Sequence, residues 1–599
     1  MLFVPSARPG SLFLAMNPLL VSLAVIFAVA GCSTNRADRD EPQTAAEAPP
    51  PLPPVPPPST PADLVILNAK VWTGAAPLGA KRSYDPTAIA VLAGKIDAVG
   101  FDDQIRPYVG PNTKVIDAGG RRVIPGITDS HTHIVSGGYQ LVRLNLRDVG
   151  SREEFVHAIA TEAKTKKPDQ WVLGGRWSVE SWTKPESPNR NWLDPVTGDA
   201  PAFLNRMDGH QALVNSAALT LAGIDRSGPA DPKGGEIERD PKTGEPTGIL
   251  KESAMGLVSR LIPNSTPEED DEALRRAMHH ANSLGVTSMH NMSGFDDLQT
   301  FRRAEEAGAL TVRITAYLSV AAWASYADRL AGYGLASDMA RLVGFKGYMD
   351  GSLGSRTAYM REPFSDATSQ TPYPRGQLTA FADDEESLQL QTAFCDAKGL
   401  QLAVHAIGDE GNHRMLDAYE YAGKRNGNRD ARHRLEHAQH LLVEDIPRFA
   451  TLGVVASMQP FHKADDGRYC EKAIGRDRLK GSYAFRQLVD SGALLVFGSD
   501  WPVVTLDPFA GLDSAVNART LAGEVWLPSH SLTVEEALRS YTTWPAKAIH
   551  MENRLGTIQR GRYADLVILS EDPFSIPKER IGKIQAVQTI VNGKIVFTR

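Results

Sequence analysis

Short apolar runs of strand length, bounded by glycine, proline and asparagine, recur along this chain from residue 62 to its last residues. In the middle they alternate with stretches of helical period. Ala62 to Asn68 reads as a strand that runs into a turn by Gly74, and Ala88 to Val99 reads as short strands about a Gly94-Lys95 turn. Far along the chain, Ala564 to Leu569 repeats the theme, and Thr589 to Phe597 reads as two strands about an Asn592-Gly593 hairpin. Strand-rich segments at both ends predict one small β domain assembled from residues 62–121 and 553–599.

Between those ends, strand-like runs followed by helical stretches predict parallel βα units. The candidate strands are Arg122–Ile127, Val286–Asn291, Thr311–Leu318, Leu342–Met349, Leu400–His405, His433–His437, Val454–Met458 and Leu494–Gly498. Eight is the count of a (β/α)8, TIM-like barrel, here over residues 122–552. Helical period is clearest over Pro267–Leu284 and Val534–Ile549. The interval between the first two strands is much longer than one helix needs. Residues 138–285 therefore hold an insert or lid, with Trp171, Trp177, Trp182 and Trp192 and a Pro/Gly-rich stretch over 227–248. Hydrophobic packing of the insert is the expected role for most of these tryptophans.

Length fits this picture, since 599 residues accommodate a barrel of roughly 250–350 residues plus accessories. A composition of 42% hydrophobic and 23% charged residues is that of a globular protein, and a net charge of −7 without a basic stripe gives no support to nucleic-acid binding, so no nucleic-acid partner is expected. The first 61 residues read as lying outside the fold. Leu19 to Ala30 is short for a membrane span and resembles the apolar part of a signal peptide over residues 1–31. Val29-Ala30-Gly31-Cys32 is similar to a bacterial lipobox, in which Cys32 would be lipidated, the alternative being an ordinary secretory signal with an incidental cysteine, and Ser33 after it resembles the outer-membrane sorting pattern. Residues 32–61, with the run Pro49 to Pro61, then read as an extended tether. The expectation is a lipoprotein of the bacterial envelope that faces the periplasm and meets the membrane only through its N-terminal lipid. Three widely spaced cysteines give no Cys-x-x-Cys metal site, and Cys395 and Cys470 either pair or stay separate thiols.

The chemistry starts at Ile124-Pro125-Gly126-Ile127-Thr128-Asp129-Ser130-His131-Thr132-His133. Residues i and i+2 of a strand face the same way, so His131 and His133 aim both imidazoles at one point. A His-x-His alone is weak evidence for a metal. The other strand ends supply Lys346, His405, His437 and Asp500. Singly, each has a structural reading: a core histidine, a lysine reaching solvent, a helix cap. Together, at the end of the barrel where such folds do chemistry, they form a metal-site inventory.

Several longer stretches join these residues. They are Pro125–Ile134, Met207–His210 through Leu219, Lys346–Met360 with its Asp350-Gly351-Ser352-Leu353-Gly354-Ser355-Arg356 core, Val404–Asp409, Arg434–Gln439, Gln459-Pro460, Gly498–Val503 and Thr533–Val596. In that order they resemble the amidohydrolase superfamily, and within it the N-substituted formamide deformylase-like branch (amidohydrolase family 3), over residues 62–599. The resemblance implies two divalent ions, usually zinc. His131, His133 and Asp500 would hold the more buried ion, His405 and His437 the second, and Lys346, carboxylated by carbon dioxide, would bridge them. It also implies that Asp500 moves a proton from an attacking hydroxide to the leaving nitrogen. His210 either contacts substrate or braces the insert. Arg356 pairs either with a substrate carboxylate or with a local acid, and Gln459 and His462 also face the site. The expected activity is hydrolysis of a non-peptide C–N bond of an amide or N-formyl small molecule. A mononuclear cyclic deaminase and a non-catalytic binding protein are the alternatives.

Overall fold

In the computed structural model, which describes residues 55–80, 85–167, 170–180, 182–320 and 335–599, Gly126 divides a run that the sequence reads as one strand. Arg122–Pro125 does not belong to the barrel. It pairs with Lys70–Val71 and with Leu566–Leu569, in a five-stranded sheet completed by Ala586–Val591 and Lys594–Thr598. Arg122 secures it there with ion pairs of 2.5 Å to Asp85 and 2.7 Å to Asp572. The first barrel strand is Ile127–Thr132, which pairs with Val286–Ser293. Hydrophobicity runs across the boundary because both strands are buried. The break is set by contact, since a Cβ on Gly126 would lie 2.1 Å from Thr287 Oγ1.

The other seven barrel strands are Val286–Ser293, Arg313–Ser319, Ala340–Tyr348, Gln401–Ala406, Arg434–His437, Val455–Met458 and Leu494–Phe497. They follow chain order in one parallel eight-stranded sheet. The sheet curls until its edges meet: Asp500 N donates to His131 O at 2.7 Å, and His133 N donates to Trp501 O at 2.8 Å. The protein is thus a TIM-like (β/α)8 barrel with additional sheets. The largest apolar cluster joins outward-facing residues such as Met289, Ile314, Val404 and Leu435 to the surrounding helices.

Helix Pro267–Ser283 begins where the sequence places it, with Thr266 and Glu269 forming a reciprocal capping box. The region read as one helix over Val534–Ile549 is two, Val534–Tyr541 and Thr543–Ala548, parted at Thr542. Pro545 has no amide to donate to Tyr541, and its ring crowds the preceding turn.

Residues after the first barrel strand build a separate six-stranded sheet that includes Val172–Trp177, Ala202–Arg206, Gln211–Val214 and Pro246–Glu252. Trp182 stacks on Trp192 at 6.3 Å, Phe155 meets both edge-on, and buried Trp177 donates to Leu204 O. These tryptophans fill the insert's own core, as composition suggested. Strands Leu64–Leu67, Ala88–Leu92, Lys95–Gly100 and Lys114–Asp117 form a four-stranded sheet, linked to the C-terminal segment by a Lys95–Tyr563 bridge.

The apolar run Leu19 to Ala30, Cys32 and the proline-rich stretch up to Pro54 lie outside the described residues. From Val55 onward that stretch rests on the fold: Val55 packs beside Tyr108, whose hydroxyl donates to Pro56 O. Cys395 and Cys470 are buried, separate thiols.

One buried ion pair fixes the barrel to the terminal sheet. Arg313, at the start of the third barrel strand, meets Asp565 at 2.6 and 3.0 Å, and Asp565 also accepts from Asn592 N. Removing one partner leaves a buried charge uncompensated. Asp565→Ala is expected to lower stability by about 3–5 kcal/mol, measured by urea unfolding. A loss below about 1 kcal/mol, the value of an exposed pair, would contradict this role.

Candidate metal centre

Every side chain of the cluster projects from the end of a barrel strand or from the residues just beyond it. His131 lies in the first strand, and His133 directly after it begins helix Ile134–Gln140. Lys346 sits near the end of Ala340–Tyr348, His405 in Gln401–Ala406, and His437 closes Arg434–His437. Asp500 follows Leu494–Phe497 after Gly498 and Ser499. A Cβ on Gly498 would lie 2.4 Å from His131 N, so glycine lets the last strand reach the first. His437 and Asp500 have φ of +72° and +60°. Such conformations cost side-chain-bearing residues about 1–3 kcal/mol and persist where surrounding contacts enforce them.

These side chains converge. His131 Nε2 is 3.4 Å from Asp500 Oδ1 and 3.2 Å from Lys346 Nζ. His133 Nε2 is also 3.4 Å from Asp500 Oδ1. The His437 ring lies 4.8 Å from that of His131 and 4.4 Å from that of His405. Ligand atoms of His131, His437 and Asp500 fall within 4.8 Å of one another.

One nitrogen of each deeper imidazole is already committed. His131 Nδ1 faces Glu436 Oε2 at 2.5 Å, His437 Nδ1 faces Gln459 Oε1 at 2.8 Å, and His405 Nε2 faces Gly351 O at 2.9 Å. Each acceptor takes an N–H, which leaves the opposite nitrogen bare and directed by a second hydrogen bond, the arrangement of a metal-ligating histidine. Burial and the neighbouring Lys346 bring His131 down to about 4, while burial and adjacent imidazoles hold His405 and His437 well below the ordinary value. All three are neutral at pH 7. Burial lowers Lys346 to about 8, close enough to neutrality to expose its amine lone pair.

Around this group, His462 lies parallel to His437 at 6.1 Å, with its Nε2 4.0 Å from Asp500 Oδ2. His210 comes from the insert, with its ring 5.1 Å from that of His405. Arg356 is not brought to the cluster: Asp366 holds it at 2.7 Å, and it lies over the Phe364 ring. Of its two readings, the local acid is the one observed.

Arg434, Glu436 and Asp350 lie within stretches that the sequence pattern singles out, yet nothing in that pattern assigns them a role. Arg434 and Glu436 are fully buried inside the barrel and joined at 2.7 Å. Opposite charges at i and i+2 share one face of a strand, but only the structure shows that this face is the buried interior of the barrel. Asp350 accepts the amides of Ile407, Gly408 and Tyr359, which fixes the loop beyond His405.

A barrel with buried, neutral, pre-oriented imidazoles and a carboxylate at its strand ends belongs to the metal-dependent hydrolases. Residues 114–597 match the model described as the amidohydrolase family, and the chain belongs to that family. It is 35% identical over 550 residues to Protein LONG AFTER FAR-RED 3 of Arabidopsis thaliana, spanning 90% of this chain and 92% of that one. An N-substituted formamide deformylase from Arthrobacter pascens is 28% identical over 548 residues, 90% of this chain and 98% of the relative. The crystal structure of an uncharacterized metal-dependent hydrolase from Pyrococcus furiosus, 28% identical, matches with a TM-score of 0.66 over 86% of this chain and 100% of that one.

His210 allows a pH prediction. Burial opposes its charge, but Glu252 at 2.9 Å, helped by Asp208 and Asp350, outweighs burial and raises it from 6.5 to about 9. A raised folded value contributes stability that is fully present below pH 6.5 and lost as pH climbs through about 9. Proton NMR of the ring is expected to titrate near pH 9, and His210→Gln should destabilise more at pH 6 than at pH 10. A midpoint below 7 would contradict the pairing with Glu252.

Proposed function

We propose that this amidohydrolase hydrolyses a non-peptide C–N bond, of amide or N-formyl type, in a small molecule. The observation that carries the reading is the set of bare imidazole nitrogens, each with its other nitrogen tied, gathered about Asp500 and Lys346. Such donors suit zinc. His131, His133 and Asp500 would hold one ion and His405 and His437 a second, with Lys346 bridging as a carbamate. That carbamate forms when the neutral amine adds to carbon dioxide and releases a proton, and its oxygens replace a nitrogen that as an ammonium repels cations. Bound divalent ions supply Lewis acidity toward the carbonyl and acidify water.

The chain's own residues do the rest. Asp500 Oδ1 lies against His131 and His133, and Oδ2 points toward His462. In this reading the carboxylate takes a proton from the attacking water and returns it to the leaving nitrogen. Charged His210, beside His405, offers a donor to oxygen as negative charge develops there. The deformylase relative, matched along nearly its whole length, supports the N-formyl member of this substrate class. Attachment to the bacterial envelope through a lipid on Cys32 belongs to the same proposal and rests on the Val29–Cys32 motif.

The test is hydrolysis of a panel of N-formyl and N-acyl amides by zinc-loaded protein, with metal counted on the same sample. Two ions per chain and turnover of at least one amide are expected. One ion with deamination of a cyclic substrate would overturn the reading. Asp500→Asn should cut kcat per bound metal by about 10²–10⁴-fold. A loss only in proportion to metal would remove Asp500 from proton transfer.

A further inference from the structure

Beside the metal cluster lies a second, larger cavity of about 340 Å³ between the insert and the loop after the last barrel strand. It shares Arg206, Met207 and Val503 with the smaller cavity, of about 40 Å³, that His405, His437 and Asp500 line. Its walls are partly apolar, from Leu144, Leu173, Phe203 and Met207. Its charged lining consists of Arg143, Arg176 and Arg206, without a carboxylate.

Arg206 is fully matched, by Glu180 at 2.6 Å and by Asp208. The others are not. Among the described residues, no acid lies within ion-pair distance of Arg143, Arg176 or the adjacent Arg147. Arg143 sits over the Tyr139 ring at 4.1 Å. Arg147 and Arg176 both donate to one carbonyl, Val503 O, at 2.8 and 3.2 Å. The Nε of Arg176 is buried without a partner. Burial and the neighbouring Arg147 pull Arg176 down to about 9. Two half-buried guanidinium groups thus share one carbonyl, with Asp148 acting on both only from beyond ion-pair distance.

The backbone presents Arg176 deliberately. Gly175 pairs with Asn205 and Trp177 with Arg206, which leaves Arg176 as the extra residue of a bulge. Its φ is +66°, and it follows Gly174 and Gly175 at +143° and +125°. A Cβ on either glycine would come within 2.2 Å of a neighbouring carbonyl oxygen. Bulges of this kind re-aim a side chain. The loop it reaches is the one that carries Asp500, since Val503 N donates to Asp500 O at 2.7 Å.

We propose that the substrate carries a carboxylate, which docks against Arg176 with Arg143 at the rim while its amide reaches the metal cluster. This rests on the amide-hydrolase reading above and narrows it to N-formyl or N-acyl compounds whose amine portion is an acid, such as an N-formyl amino acid. A planar carboxylate matches the guanidinium fork, and the apolar walls accept a side chain of moderate size.

The experiment is calorimetric titration of zinc-loaded Asp500→Asn protein, expected to turn substrate over about 10²–10⁴-fold more slowly, with N-formylphenylalanine and with its methyl ester. The acid is expected to bind about 10–100-fold more tightly than the ester. Arg176→Met in the same background should abolish that preference while leaving the ester's affinity unchanged. Equal binding of acid and ester, or an equal loss of both in Arg176→Met, overturns the subsite and leaves Arg176 as a pin for the Val503 loop. If neither compound binds, succinate is titrated instead. Succinate binding that Arg176→Met abolishes keeps the subsite and rejects the N-formyl reading, whereas no binding, or binding that Arg176→Met leaves intact, rejects the subsite.

Discussion

The pairing of Arg434 with Glu436 inside the barrel is the interaction on which the site depends. Both side chains are wholly buried, in the space that bulky apolar residues fill in most such barrels. Two charges removed from water at this depth are tolerable only if every polar atom is matched. Arg434 also donates to Ser130 O, His290 Nδ1, Tyr317 OH and Ser457 Oγ, so one guanidinium ties together the first, second, third, sixth and seventh strands. Glu436 spends its other contact on His131 Nδ1. Burial works against its charge, but Arg434 and His131 outweigh burial and hold it well below the usual carboxylate range. The carboxylate therefore stays ionised, the His131 N–H stays on Nδ1, and Nε2 faces the cluster bare. Barrel core and candidate metal centre are one hydrogen-bonded chain.

Strain and close approach follow from that arrangement. The first and last strands must meet so that Asp500 can reach His131 and His133. Gly498 permits the approach, and Asp500 accepts a left-handed backbone held by its own amide's bond to His131 O. His437 does the same at the end of the sixth strand, with Gln459 steadying its ring. The insert works on the same cluster from outside: it supplies His210 beside His405, and its Arg147 and Arg176 grip the loop that follows Asp500.

Much of this was legible in the sequence because it is written in local pattern. Seven barrel strands lie within a few residues of the apolar runs that predict them, and the Asn592-Gly593 hairpin is where its dipeptide places it. Periodicity was silent on the division at Gly126, since two buried strands in succession give one hydrophobic run. It was equally silent on the break at Thr542, where Pro545 outweighs an amphipathic pattern. Strand-end histidines announce themselves by type. Glu436 and Arg434 did not, because a charge in a strand reads as solvent-facing until both faces are known to be buried. The unmatched arginines of the insert were invisible for a related reason: whether a guanidinium has a partner is a property of distant segments brought together.

The central claim is that the buried carboxylate of Glu436 orients His131 for metal. It is tested most directly by the zinc affinity of Glu436→Gln, measured by chelator competition on protein shown by circular dichroism to keep its fold. Zinc should bind about 10–100-fold more weakly than to the unaltered protein. A folded Glu436→Gln protein with unchanged zinc affinity would contradict the account.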